Sequence, residues 1–312
     1  MRALVVEAPG FLTTVQDPGR PGFAALGVSA AGAADPIALA AGNRLVGNRP
    51  VAAALEMTLV GGRFRLLADA VVALTGADPA ARVGTRTLQT WTACAVASGD
   101  TIACGPLAGG ARAYLCVRGG FELPRPFGSA STHLASRLGG LEGRALRGGD
   151  RLPIGDRAAA DPLSRPIDPA SIPAYLPLGA LRVTWGVQAD EFPEPSRSLF
   201  TGTDWTVSEA CDRMGIRLDG PPIPRLAGDE MLTEGVTLGS VQVPADGKPI
   251  VLFVDHQTTG GYPKIASVIA ADAARLGQLR PRDTLRFSVV TLEAARILLS
   301  RQDAALREIV RG

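Results

Sequence analysis

The run "KPIVLFVDHQ" at residues 248–257 decides the fold. Its core, "PIVLF" (249–253), is the most apolar run in the second half of the chain, it is short, and proline and aspartate bound it. That pattern predicts a strand. Seven further runs share it: "ALVVEA" (3–8), "VVALTGA" (71–77), "DTIACG" (100–105), "ARAYLCVRGG" (111–120), "LRVTWGV" (181–187), "DWTVSE" (204–209) and "VTLGSVQVP" (236–244). Many short runs that are apolar or alternating, punctuated by turn residues, are the pattern of barrels and sandwiches. Thirty-seven glycines and 24 prolines in 312 residues supply turns between short strands rather than a helical bundle.

Helices are few. "DPIALAAGNRLVGN" (35–48) opens with Asp35 as N-cap and Pro36 in the first turn, and its apolar positions recur at helical spacing. "PKIASVIAADAARLGQL" (263–279) is predicted as a second helix beginning near Pro263, and residues 291–312 close the chain as an amphipathic helix or helix pair. Residues 157–177 hold five prolines and little periodicity, which reads as a linker. The expected division is therefore a first domain at 1–156, the linker, and a second domain at 178–312 that carries the C-terminal helix. "TTVQDPGRPGFAALGV" (13–28) and "WTVSEACDRMGIRLDG" (205–220) echo each other as Thr-Val, an acid, Arg, then Gly, and "ASGDTIACG" parallels "RPRDTLRFS". The echoes point to one β-barrel plan used twice.

Composition excludes several classes. The formal charge of +2 is near neutral and no Lys/Arg stripe forms, so nothing marks a nucleic-acid or membrane partner. No apolar run reaches the roughly 20 residues that span a bilayer. The start, "MRALVVEAPG", carries no signal-peptide core. Cys94, Cys104, Cys116 and Cys211 lie apart without CxxC spacing, which predicts free, mostly buried thiols in a reducing cytoplasm.

The turn that follows the deciding strand carries more chemistry than chain reversal requires. In "VDHQTTGGYPKIA" (254–266), Asp255 and Gln257 end the predicted strand with a carboxylate and an amide. Thr258 and Thr259 add hydroxyls, Gly260 and Gly261 permit close backbone approach, and Tyr262 precedes the helix expected from Pro263. Lys264 in a first helical turn opposes the macrodipole, and a bound carboxylate, carbamate or phosphate would compensate it. Asp255 and Lys264 are thus the candidate catalytic groups. The alternative is a capped turn whose lysine points to water. Asp255 and His256 are adjacent, so in a strand they face opposite sides and do not pair.

A second cluster, "CDRMGIRLDG" (211–220), offers Arg213 and Arg217 for a planar carboxylate or amide, or else an ordinary ion-pair network with Asp212 and Asp219. Its echo in the first half is Gln16, Asp17 and Arg20, with an Asp-Pro-Gly turn as the plain alternative. Glu56, between apolar neighbours, is a candidate partner for one of these arginines. There is no Walker loop, dinucleotide fingerprint, HExxH, nucleophile elbow or biotinyl-lysine "MKM" stretch, and two histidines with scattered cysteines supply no metal site. The chain alone is expected to bind neither ATP nor biotin nor metal.

"TTVQDPGRPGFAALGV", "LEMTLVGG" (55–62), "ALTGAD" (73–78), "YLCVRGG" (114–120), "GRALRGGD" (143–150), "DRMGIRLDG" (212–220) and the long "VDHQTTGGYPKIASVIAADAARLGQL" (254–279) resemble, in order, the motifs of the biotin-dependent carboxyltransferase-like family. That family includes C subunits of bacterial 5-oxoprolinase, allophanate hydrolase subunit 2 and the carboxyltransferase region of urea amidolyase. The resemblance implies two cyclophilin-like β-barrel domains and an enzyme subunit. In that reading a complex with a B-type and an A-type subunit uses ATP to hydrolyse 5-oxoproline to glutamate. It also implies two alternatives: biotin-dependent carboxyl transfer to urea or a similar amide, and a regulatory module that antagonises a kinase inhibitor. In "GSASTHL" (128–134), Ala130 and His133 stand where the family commonly has Arg and Asp, which weakens a role for this loop in gripping an anion.

Overall fold

The computed structural model describes residues 2–156, 158–172, 180–226 and 231–311. The protein is mainly β, with four α-helices among the described residues. It divides into two compact units, one of Met1–Pro21, Ala31–Pro169 and Leu306–Gly312, the other of Gly22–Ala30 and Ala170–Ala305. Part of the expected linker, residue 157 and residues 173–177, lies outside the described residues.

The first unit holds two antiparallel sheets. One runs in the order Arg151–Pro153, Ala3–Ala8, Arg63–Leu66, Thr101–Ala103, Arg82–Val83, Arg86–Thr87. The other runs Leu12–Gln16, Ala54–Thr58, Ala108–Val117, Ala70–Asp78, Ala93–Val96. The alternation in Arg63–Leu66 explains how such short strands hold: Phe64 and Leu66 are buried while Arg63 and Arg65 pair with Glu7 outside. Leu4, Phe64 and Ile102 from the first sheet share one core with Leu55, Leu74 and Leu115 from the second. Each such side chain contributes about 1.5–3 kcal/mol by leaving water.

The helix Pro36–Leu45 has the predicted cap: Asp35 Oδ1 accepts from the N–H groups of Ile37 and Ala38 at 3.1 and 3.0 Å. Its Gly42 lies where a Cβ would stand 2.7 Å from Cys116 Sγ and 2.8 Å from Thr75 Oγ1, so only glycine lets the helix settle this close to the strands. Cys104 and Cys116 are buried, and burial pushes the Cys104 thiol up to about 12. Cys94 and Cys211 are half-buried, and all four are free thiols.

The second unit is built on eight strands in the order Thr284–Leu285, Trp205–Val207, Gly215–Asp219, Ile250–Leu252, Ser240–Gln242, Lys264–Val268, Leu181–Trp185, Phe287–Val289. The two end strands are consecutive in the chain, with Arg286 alone between them. The last strand runs parallel to Leu181–Trp185, and the first pairs antiparallel with Trp205–Val207. The sheet's edges are thus covalently joined, which nearly closes a barrel and leaves little open edge. Phe200 stacks on Phe287 at 4.4 Å between ring centroids, and the buried Trp205 donates Nε1–H to the Phe200 carbonyl at 2.9 Å. The C-terminal helix, Leu292–Arg311, forms as expected.

Residues 263–279 are not one helix. Lys264–Val268 is a strand hydrogen-bonded on both sides, and the helix is confined to Ala273–Gln278. Ile265 and Val268 favour the pleated position, and pairing on both flanks overrides the helix propensity of the nearby alanines. The preceding strand also ends earlier than predicted, at Leu252, so Asp255 and Gln257 lie in the turn after it. No described helix is long and apolar enough to cross a membrane.

Candidate functional site

In the second unit, residues 253–256 reverse the chain with a bond from the His256 N–H to the Phe253 carbonyl at 2.9 Å. Asp255 at its centre accepts from Arg213 Nε and Nη2 at 2.8 and 3.0 Å, and both side chains are about 5% exposed. The Asp255 N–H also donates to the Arg213 carbonyl at 2.8 Å. This bidentate pair staples the turn to residues 212–214 and occupies the face of each group suited to a ligand. Arg213 thus takes Asp255 rather than Asp212 and Asp219, the ion-pair partners of the alternative reading. Asp212 instead accepts the N–H groups of Met214 and Gly215, and Asp219 pairs with Lys248 at 3.2 Å. Arg217, expected beside Arg213, is exposed on the strand Gly215–Asp219, because only Arg213 lies in the loop that reaches Asp255.

Beyond Asp255 the turn opens. His256 Nδ1 lies 2.6 Å from the Gln257 carbonyl, and partial burial holds its imidazole below the usual value. The Thr258 carbonyl accepts from the Val236 N–H, and Thr259–Gly260 forms a two-residue ladder with Glu234–Gly235. A Cβ on Gly260 would stand 2.7 Å from Gln242 Nε2, so a larger residue there would push the Gln242 amide aside. Gln257 and Thr258 are half-buried, Thr259 is exposed, and Tyr262 is 50% exposed.

Lys264 follows as a buried residue at the start of its strand, not in a helical turn. The register against Ser240–Gln242 shifts there: Val241 faces Ala266 while Gln242 faces Lys264. One extra residue, Ile265, is thus bulged, and a bulge re-aims neighbouring side chains. Lys264 Nζ pairs with Glu234 Oε1. Gln188 closes the triad: Nε2 donates to Glu234 Oε1 at 2.7 Å, and Oε1 accepts the Lys264 N–H at 3.2 Å. The Lys264 and Gln188 hydrogen bonds hold the Glu234 carboxyl below the usual carboxylate range. Gln242 is buried and donates to the Tyr262 carbonyl at 3.3 Å. Gln188, Glu234 and Gln242 went unread in the sequence because they lie up to 76 residues from Lys264 and carry no local motif.

In the first unit Gln16, Asp17 and Arg20 form a buried scaffold. Asp17, 1% exposed, accepts from Ser129 Oγ at 2.5 Å, Ser131 Oγ at 2.7 Å, the Ala130 N–H at 2.7 Å and the Gly19 N–H at 2.9 Å. Arg125 reaches it at 3.4 Å. Arg20 donates to the Ser131 carbonyl, and Gln16 Nε2 donates to Thr14 Oγ1 at 3.0 Å and the Thr132 carbonyl at 3.1 Å. The group ties residues 129–132 to the end of the strand Leu12–Gln16. His133 continues that loop and accepts the Ser136 N–H at 3.2 Å.

Glu56 lies beside a different arginine, Arg112, from those suggested for it. It takes the hydroxyl of Tyr114, its cross-strand neighbour, at 2.7 Å and the Ala34 N–H at 2.8 Å, with Arg112 Nε 3.8 Å away. Burial, then the Glu56 charge, pushes the Tyr114 phenol up. Among the described residues no group of three or more His, Cys, Asp and Glu is placed to hold a metal ion.

A nearly closed, mostly antiparallel barrel, a second β unit and a polar turn set around a bulged lysine define the class. The chain belongs to the family described as the carboxyltransferase domain, subdomain A and B, whose model matches residues 26–289. It is 40% identical to the C subunit of 5-oxoprolinase from Escherichia coli over 96% of this chain and 94% of that protein. It is 37% identical to the C subunit of 5-oxoprolinase from Haemophilus influenzae over the same shares. The solved urea amidolyase of K. lactis superposes with a TM-score of 0.89 at 30% identity, over 98% of this chain but only 20% of that much longer one.

Proposed function

We propose that the chain is the C subunit of an ATP-dependent 5-oxoprolinase that opens 5-oxoproline to glutamate together with a B-type and an A-type subunit. The observation that carries this reading is the near-end-to-end match to two 5-oxoprolinase C subunits, where the urea amidolyase match covers a small part of a larger enzyme. In the reaction water adds hydroxyl to the lactam carbonyl carbon, the C–N bond breaks, and the nitrogen leaves as an amine; ATP is spent by the complex.

The half-exposed turn of Gln257, Thr258, Thr259, Gly260, Gly261 and Tyr262 is the surface on which this unit meets substrate. Among the described residues the Lys264 ammonium, with three donors, bonds Glu234, and the reading gives its other donors to the substrate carboxylate or to charge developing on the opening amide. Asp255 and Arg213 position the turn rather than touch substrate, because each occupies the other.

The test is reconstitution. Glutamate release from 5-oxoproline and ATP is expected from the three subunits together and not from this chain alone. Full turnover by the isolated chain, or none by the assembled complex, would refute the reading. The likeness to urea amidolyase supports a second reading, carboxyl transfer from carboxybiotin to urea or a similar amide. Transfer of labelled carboxyl from a supplied biotinylated carrier protein to urea would favour it.

A further inference from the structure

We propose that Glu234 reads the ring N–H of the substrate: its second carboxylate oxygen accepts the hydrogen bond of a cyclic amide and so selects amide over the corresponding ring-oxygen ester. This inference rests on the 5-oxoprolinase reading of the same turn.

The two oxygens of Glu234 are not equivalent. Oε1 takes both Lys264 Nζ and Gln188 Nε2. Oε2 has no hydrogen-bond partner among the described residues, yet the side chain is 43% exposed. One oxygen is committed to the scaffold and the other is open to a ligand. The scaffold also fixes which way round the amide of Gln188 lies. Its Oε1 accepts the Lys264 N–H at 3.2 Å, so Nε2 is left to face Glu234. The backbone beneath is held too, since Glu234 lies opposite Gly260 in the two-residue ladder with the turn.

This arrangement makes Glu234 an acceptor and not a proton-abstracting base. Lys264 and Gln188 stabilise the ionised form, which at neutral pH weakens the drive to take a proton and leaves a charged acceptor. A ring N–H satisfies such an acceptor. A ring oxygen sets lone pair against lone pair, so the lactone loses the hydrogen bond to the charged acceptor and meets repulsion in its place. Asn or Gln at this position would not serve. A Gln at 234 would turn its carbonyl toward the two donors and present its NH2 to the substrate's N–H.

The experiment compares 5-oxoproline with its ring-oxygen lactone in the reconstituted complex, with the lactone as competing ligand. The wild type is expected to favour the lactam, and Glu234→Gln to shrink that preference by about 10- to 100-fold while raising KM more than it lowers kcat. The preference is a ratio, so it does not depend on how much of the variant folds; Glu234→Ala supplies the same ratio without a new NH2 group. An unchanged ratio in both variants, with 5-oxoproline still turned over, overturns this inference alone. Absence of 5-oxoproline turnover by the wild-type complex overturns the functional reading and this inference with it.

Discussion

Arg213 grips both oxygens of Asp255 from 42 residues away, at 2.8 and 3.0 Å, with each side chain sealed from water. The relationship changes what Asp255 is for. A carboxylate committed side-on to a buried guanidinium fixes the entrance to the turn. In the proposed site, the groups left for chemistry are those beyond it, where the backbone opens and Lys264 meets Glu234.

Removing one partner of this pair leaves a buried charge uncompensated. Arg213→Ala or Asp255→Ala is expected to cost about 3–5 kcal/mol of stability, with activity falling in step with the folded fraction. Replacing both by apolar residues of similar volume, Arg213→Met with Asp255→Leu, should recover most of that stability. Thermal melts beside activity per folded molecule check it. A direct role for Asp255 would instead appear as activity lost by Asp255→Asn at an unchanged melting temperature.

Lys264→Met tests the triad. As a first-turn helical lysine, its loss would have left stability unchanged or slightly raised. In a strand, paired to Glu234, its loss is expected to lower turnover by the complex about 10- to 100-fold, the scale of a charged hydrogen bond of roughly 1.5–3 kcal/mol. Steady-state kinetics on the reconstituted enzyme measure this, and wild-type turnover would remove Lys264 from the site.

The pH dependence of stability has a fixed sign. Glu234 and His256 both have folded values held below their ordinary ones, by hydrogen bonds from Lys264 and Gln188 in one case and by burial in the other. Each therefore contributes stability above its unfolded value, and that contribution is lost as pH falls through the folded value. The melting temperature is expected to hold at neutral pH, to decline below about 6.5 as His256 begins to favour the unfolded chain, and to decline further below about 4.5 with Glu234. His256→Gln should remove the first decline and leave the second. Melts across a pH series report both.

Asp17 should behave as an anchor. Asp17→Ala strips the acceptor from two serine hydroxyls and from the N–H groups of Ala130 and Gly19. A loss of at least 3 kcal/mol is expected, since an orphaned buried donor costs about 1–3 kcal/mol and several are orphaned here. Hydrogen exchange should rise first at residues 129–132. A variant with normal stability and no activity would return Asp17 to the catalytic set.

The sequence by itself determined the β architecture and the Asp35-capped helix, because period and caps are local properties of the chain. It also exposed the family through motifs read in order. Only the tertiary structure decided what individual charges do. Lys264 reads as helical from its alanine-rich neighbourhood, yet strands on both sides claim its backbone. Arg213 finds Asp255 rather than the nearer Asp212, and Glu56 finds Tyr114 and Arg112 rather than the arginines proposed for it. Glu234, Gln188 and Gln242 enter the site from strands and turns remote in sequence. An ion pair is set by distances between groups far apart in the chain, and those distances exist only once the strands that carry them have paired.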